Sequence, residues 1–174
     1  FYLDCLVTRV AEVLKRLKLY RLRARVVIGD MSESLGIIVL WGDSAVADAD
    51  GLVITDPRLA ALGQRALVEK SRAESLADTP AEDWNNHRIA LGVPDGGKDF
   101  AYDDAFPHEA LLDQLGGVDF RKGCYVGQEV VSRMEHRGTA RNRIVPVVFI
   151  EGIVSEWGLE AQAGSQPLPG EHRR

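Results

Sequence analysis

The densest group of chemically useful side chains in this chain is one short segment, KGCYVGQE at positions 122–129. It places a cation, a thiol, a phenol, an amide and a carboxylate within eight residues, and two glycines bracket the thiol and the phenol. Because glycine carries no side chain, a ligand can approach the backbone closely at such positions. The pattern is typical of a binding or catalytic loop. Two turn glycines around a small buried cysteine would produce the same sequence for purely structural reasons.

A helix is predicted to begin directly after this loop. In GQEVVSRMEHR (127–137) the apolar residues recur three and four positions apart, as on one face of a helix. Gly127 can serve as the N-cap, and Gly138 suits the left-handed position that ends many helices. The backbone N–H groups of the first turn would therefore point outward with partial positive charge.

The side chains of the loop complement one kind of ligand. Lys122 and the helix N-terminus would both favour the thiolate form of Cys124. Tyr125 offers a flat stacking face, while Gln128 and Glu129 can pair with the donor-rich edge of a heterocycle. Together these groups suit a flat, anionic, nitrogen-rich molecule such as a pterin.

Other interpretations of the polar residues stay open at this point. His108 or His136 could act as a general base for Cys124, which would make a thiol hydrolase or transferase. The four histidines do not cluster at metal-ligand spacing, so no metal site is predicted. A basic segment could bind an acidic partner or transfer RNA; its cations are Arg9, Lys15, Arg16, Lys18, Arg21, Arg23 and Arg25.

The composition fits a globular protein with one or two domains: 174 residues, 45% apolar, with a net charge of −5. The longest apolar run, Leu35–Trp41, is far shorter than the roughly 20 residues of a membrane span. Two cysteines without a CxxC pair indicate a reducing, cytoplasmic setting. The first residue, Phe1, already lies in a strand-like run, so we expect the chain to be part of a longer protein.

Short strands mixed with helices, without a strict βαβ rhythm, predict an α+β protein. Strands are predicted at Phe1–Cys5, Leu22–Ile28, 35–41, 51–56 and Arg143–Ile150, and helices at about 7–19, 79–91, Pro107–Leu115 and 127–137.

The extended motif KGCYVGQEVVSRMEHRG (122–138) resembles the signature of the YgfZ-type folate-binding proteins, which are relatives of the glycine-cleavage aminomethyltransferase. Four more segments resemble family segments and follow in the family's order: DPRLAALGQR (56–65), HRIALGVPDGG (87–97), FPHEALLDQLGGVDF (106–120) and GTARNRIVPV (138–147).

The resemblance implies an aminomethyltransferase-like folate-binding fold, with ferredoxin-like subdomains and a C-terminal β-barrel. In this chain, residues 1–20 and 84–138 would form the folate-binding domain that carries KGCYVGQE. Residues 21–83 would belong to a second, incomplete α+β subdomain, and residues 139–174 would begin the truncated barrel. The family's N-terminal part would lie before Phe1.

The resemblance also implies a function. Such proteins bind tetrahydrofolate or a one-carbon derivative and support the assembly or repair of iron–sulfur clusters in client enzymes, including enzymes that modify transfer RNA. The expected partners are folate, iron–sulfur enzymes and, weakly, transfer RNA, with no membrane; the expected location is the cytoplasm, or the mitochondrial matrix in a eukaryote. The implied site comprises Cys124 as a reactive thiol and, for folate, Lys122, Gly123, Tyr125, Gly127, Gln128, Glu129, Arg133 and Arg137.

One departure from the family bears on the activity. The aminomethyltransferase branch reads Arg-Leu-Glu-Ala-Gly where this chain reads RIALG (88–92), and that glutamate helps to hold the pterin. Ala90 stands in its place and has no polar group. A folate-dependent aminomethyltransferase or one-carbon transferase is therefore the alternative function, and Ala90 counts against it.

Overall fold

The computed structural model describes residues 1–42, 51–138 and 142–147. Four helices, α1 (Val10–Tyr20), α2 (Lys70–Leu76), α3 (Ala81–Ala90) and α4 (Gln128–Arg137), accompany the strands β1 (Leu35–Leu40), β2 (Leu52–Thr55) and β3 (Gln64–Glu69) in these ranges. The chain divides into two compact units, Phe1–His87 and Arg88–Arg174. Helices beside an antiparallel sheet are an α+β arrangement. The aminomethyltransferase-like fold and the domain boundaries given above stay predictions.

The predicted amphipathic helix near the start of the chain is confirmed as α1, preceded by a single 3-10 turn at Val7–Arg9. Val10, Val13, Leu14 and Leu17 are half-buried, and the residues around them are mostly exposed. This spacing puts the four side chains on one face, so their burial accounts for the helix. Among the described helices, none combines the length and the apolar character that crossing a bilayer requires.

The sheet of the first unit has the order β1-β3-β2 with antiparallel pairing throughout. The central strand β3 buries Ala66 and Val68, and Ala66 pairs with a residue of each neighbour. The predicted strands at 35–41 and 51–56 are confirmed as β1 and β2. β3 was not predicted, because alanine and flanking charged residues weaken its alternating pattern; its pairing with two neighbours forms the strand.

Two glycines in this unit are required by close packing. Gly63 adopts φ 95°, and a Cβ there would lie 2.0 Å from the Leu40 carbonyl oxygen. Gly36 in β1 faces α2, where a Cβ would lie 2.6 Å from Ala73 Cβ. Gly63 is the glycine of DPRLAALGQR. The turn that leads into β3 therefore explains why this segment has a glycine at that position.

Two predicted strands are wrong. In the described residues, neither Phe1–Cys5 nor Leu22–Ile28 has strand structure, and Val27 is 99% exposed. An isolated extended segment gains neither ladder hydrogen bonds nor buried area, so alternation alone does not form a strand. The predicted strand Arg143–Ile150 has no strand structure over 143–147, and its last three residues lie outside the described ranges.

The second unit has a small buried apolar core, in which Val93, Ala110 and Val131 are at most 6% exposed. The predicted helix Pro107–Leu115 is wrong, because this segment forms consecutive turns. Leu111 has φ 58°, outside the right-handed helical region, and the Leu112 N–H reaches back to the Pro107 carbonyl. The predicted helices at 79–91 and 127–137 are confirmed as α3 and α4.

Candidate functional site

The loop-to-helix junction predicted for KGCYVGQE is confirmed. Gly127 has φ 87° and ψ 0°, a left-handed conformation that glycine adopts without strain, and α4 begins at Gln128. The N–H groups of Val130 and Val131 donate to the Gly127 carbonyl at 3.2 and 3.3 Å. Gly138 ends α4 with φ 59°, also left-handed. The two glycines thus fix both ends of the helix that follows the loop.

Tyr125 and Gln128 hold the last turn of the loop through reciprocal contacts. The Gln128 N–H donates to the Tyr125 carbonyl at 3.2 Å, and the Tyr125 N–H donates to Gln128 Oε1 over a longer 3.4 Å. The amide oxygen of Gln128 therefore has a backbone partner, so its amide nitrogen is the end best placed to serve a ligand.

One face of the Tyr125 ring is already occupied. The Lys122 ammonium lies 4.6 Å from the ring centroid, a cation–π distance. The contact orients both side chains on the same side of the loop. A stacking ligand would use the opposite ring face or displace the lysine.

Cys124 is exposed. Neither neighbouring glycine, Gly123 or Gly127, has a heavy atom within 4 Å of the position that a Cβ would take. The thiol therefore stands in a stretch of open backbone that another molecule can reach. Cys5 is exposed as well, so exposure by itself does not distinguish Cys124.

The remaining predicted folate-binding residues lie on α4. Glu129 is in the first turn, and Arg133 and Arg137 follow one and two turns later, all exposed. Within the part of the chain that the structure describes, no ion pair joins Glu129 to Arg133. The helix dipole favours a carboxylate at the first turn and cations at the last, so the charges suit their positions without any ligand.

An open surface depression lies directly before the loop in sequence. Its volume is about 510 Å³, and Val118, Asp119, Phe120 and Arg121 line it. Phe120, which is 44% exposed, also packs its ring 6.0 Å from the His108 ring, centroid to centroid. Ligand pockets in proteins measure roughly 300–1,000 Å³, so its size suits a small molecule.

The Asp-Pro-Arg motif belongs to a buried charge cluster in the first unit. Arg58 donates to both oxygens of Asp56 at 3.0 and 2.8 Å, and Arg65 Nε donates to Oδ2 at 2.8 Å. Burial by itself would raise the pKa of Asp56, but the hydrogen bonds from the two guanidinium groups hold it far below its ordinary value. Arg65 also pairs with Asp4. Sequence reasoning did not identify Arg65 as a partner of Asp56.

The segment HRIALG places its arginine in the interior of the second unit. Arg88 is 2% exposed; it donates to the Val93 carbonyl at 3.0 Å and pairs with Asp99. Asp99 also accepts from the Asp95 N–H at 2.7 Å. The arginine therefore ties the end of α3 to the following loop, whereas Ala90, at the position that departs from the transferase pattern, is exposed.

A second charge cluster lies under α4, and sequence reasoning did not find it. His108, 1% exposed, has Nε2 3.2 Å from Glu135 Oε2. Arg143 donates to the His108 carbonyl at 3.0 Å and to both oxygens of Asp113 at 3.0 and 2.8 Å. Those hydrogen bonds lower the pKa of Asp113. His108 is thus buried beside Glu135, which does not support its role as a general base for Cys124.

The chain is similar to several curated proteins, although no protein-family model matches it. It is 36% identical over 140 residues to the mitochondrial iron–sulfur cluster assembly factor IBA57 homolog of Mycosarcoma maydis, covering 76% of this chain and 34% of that protein. To the human mitochondrial iron–sulfur cluster assembly factor IBA57 it is 34% identical over 166 residues, covering 87% and 46%. For the Pyricularia oryzae homolog the identity is 32% over 169 residues, covering 92% and 43%.

These similarities confirm the coarser part of the family resemblance, namely homology to iron–sulfur cluster assembly factors. All three relatives are named mitochondrial, in agreement with the location expected for a eukaryotic chain. The chain spans 34–46% of the length of these relatives. Folate binding, the YgfZ type and the link to transfer-RNA modification stay predictions.

Proposed function

We propose that this chain is part of a mitochondrial assembly factor for iron–sulfur clusters and that the KGCYVGQE loop is where it acts. The observation that carries the proposal is the exposed thiol of Cys124 on an open, glycine-flanked backbone, in a chain homologous to such factors. Iron–sulfur clusters are bound by cysteine thiolates. One cysteine supplies only one ligand, so the others would come from a partner protein that delivers or receives the cluster.

The same loop is proposed to bind a reduced folate. Tyr125 supplies a ring face for the pterin, and the depression at 118–121 is large enough for its ring system. The Gln128 amide nitrogen and the Glu129 carboxylate can pair with the heterocycle edge. The glutamate carboxylates of folate would meet Lys122 and, along the exposed side of α4, Arg133 and Arg137.

Assembly is favoured over aminomethyl transfer. The residue at the pterin-holding position of the transferase branch is Ala90, which is exposed and has no polar side-chain atom. The clients would be iron–sulfur enzymes, including those that modify transfer RNA. A weak contact with transfer RNA is proposed for the exposed cations of the 9–25 segment.

The role of the thiol is tested by Cys124→Ser in the full-length protein, assayed by cluster transfer to, or activation of, an apo iron–sulfur enzyme. We expect loss of most of the activity with an unchanged melting temperature, because the side chain is exposed. Cys5→Ser is the matched control, since it removes the other exposed thiol, and should retain activity. Full activity of Cys124→Ser would contradict the proposal.

Folate binding is tested separately by thermal unfolding in the presence of a reduced folate. Ligand at 100 times its dissociation constant should stabilise the protein by about 2.7 kcal/mol. Tyr125→Ala should reduce this shift, whereas Tyr20→Ala, which removes an exposed tyrosine of α1, should not. No shift at millimolar folate would reject this part of the proposal and leave the role of Cys124 standing.

A further inference from the structure

We propose that His108, Asp113 and Glu135 form a binding site for a first-row divalent metal ion. Glu135 on α4 lies 27 positions after His108 and 22 positions after Asp113, and folding brings the three side chains together. One ligand atom from each lies within 4.8 Å of the others. The inference stands apart from the function proposed for Cys124, since it uses none of the loop residues.

Burial gives the cluster a built interior and an open entrance. The His108 side chain is 2% exposed and that of Asp113 is 11% exposed, whereas that of Glu135 is 46% exposed. An ion could therefore enter from the Glu135 side and meet an imidazole and a carboxylate that are already positioned. Side chains that are already in position lose less conformational entropy when the ion binds.

The tautomer of His108 decides whether an ion can bind. His108 Nε2 faces Glu135, while its Nδ1 is buried and has no hydrogen-bond partner among the described residues. Moving the ring proton from Nε2 to Nδ1 would free Nε2 to coordinate an ion without breaking any other hydrogen bond of the ring. The ion would then take the place of that proton between the imidazole and Glu135.

Arg143 sets the strength of the site. It donates to both oxygens of Asp113, which uses two of the roughly four lone-pair directions of that carboxylate and leaves the others for an ion. Apart from the imidazole, the two carboxylates and the one guanidinium carry one net negative charge. A cation would offset this charge, while repulsion from Arg143 would keep its affinity moderate.

The donor set selects the class of ion. One imidazole nitrogen and two carboxylate oxygens suit Mn²⁺, Fe²⁺ or Zn²⁺ better than the soft ions that prefer thiolates. Mn²⁺ is the best probe, because it interacts weakly with the exposed thiols of Cys5 and Cys124.

The experiment is a titration of the metal-free full-length protein with Mn²⁺, following the free ion by electron paramagnetic resonance. We expect one ion per chain. Glu135→Gln should weaken binding by about tenfold or more, as should His108→Gln, because each removes a ligand. His136→Gln, which removes an exposed histidine next to Glu135 on α4, should leave the affinity unchanged.

The outcomes distinguish a specific metal site from nonspecific binding. If His108→Gln does not fold, Glu135→Gln decides, since its side chain is half exposed and its amide keeps the shape. Equal affinity of Glu135→Gln and the unchanged protein would overturn the proposal, as would equal weakening by His136→Gln. Absence of stoichiometric binding at millimolar Mn²⁺ would overturn it too.

Discussion

Two polar regions of this protein differ in burial. In the Asp56 cluster, Arg58 and Arg65 surround a carboxylate that is 2% exposed, and their hydrogen bonds to it measure 2.8–3.0 Å. In the KGCYVGQE loop, by contrast, Cys124 is exposed and its flanking glycines have open space around them. Both regions belong to motifs that resemble one family.

The difference separates polar residues that stabilise a fold from those that can serve a ligand. A buried carboxylate must find its partners inside the protein, and at Asp56 it has them. An exposed thiol with open backbone around it has gained no comparable stabilisation from folding. We therefore expect substitutions to damage stability in the first region and binding in the second.

The largest effect should come from Asp56→Asn. The substitution removes the buried negative charge and leaves two guanidinium groups side by side, which should lower the free energy of unfolding by roughly 3–5 kcal/mol. Chemical denaturation of the two proteins measures this difference. Asp104→Asn, at an exposed position, is the control and should change stability little. If Asp56→Asn lowered the free energy of unfolding no more than the control does, the Asp56 cluster would not stabilise the fold as expected.

A smaller effect is expected for Gly127→Ala. The position has φ 87°, and open space surrounds it, so only backbone strain opposes the added methyl group. This strain should cost about 1–2 kcal/mol in thermal or chemical unfolding. Gly123→Ala is the matched change in the same loop, with equally open surroundings and no positive φ, and should be nearly neutral. Equal effects of the two substitutions would show that the turn does not require the left-handed conformation.

The smallest effect concerns pH. The pKa of Asp56 lies below its ordinary value of 3.8 in the folded protein, so its contribution to stability is complete above that pH and is lost as the pH falls through and below it. One such group contributes at most about 1.4 kcal/mol per pH unit to the slope. Unfolding measured between pH 5 and pH 2 should therefore be less pH-dependent in Asp56→Asn than in the unchanged protein. An identical slope would place the acid sensitivity at other carboxyl groups, such as Asp113, whose pKa is also lowered.

Local patterns predicted the helices better than the strands. The spacing of the apolar residues in 7–19 predicted α1, because a helix makes its hydrogen bonds within itself and needs only one buried face. Leu22–Ile28 alternates as a strand should, yet among the described residues it pairs with no neighbouring strand and does not form one. β3 shows the reverse, since its pattern is weak and its two neighbours form it.

The candidate site shows the same difference between features that local sequence predicts and features that depend on the fold. The order of residues predicted the loop, Gly127 as the N-cap and the start of α4, since these depend on neighbours in the chain. The exposure of Cys124 and the Lys122–Tyr125 contact are known only from the structure.

The amino-acid sequence by itself determined approximately where α1, α3 and α4 begin and end and which loop carries the thiol, because capping and helical periodicity act between residues a few positions apart. Only the tertiary structure decided that Arg65 joins Asp56 and that His108 meets Glu135, 27 positions away. Such pairs form where packing excludes water and each buried charge must find an internal partner, and sequence spacing does not encode that choice.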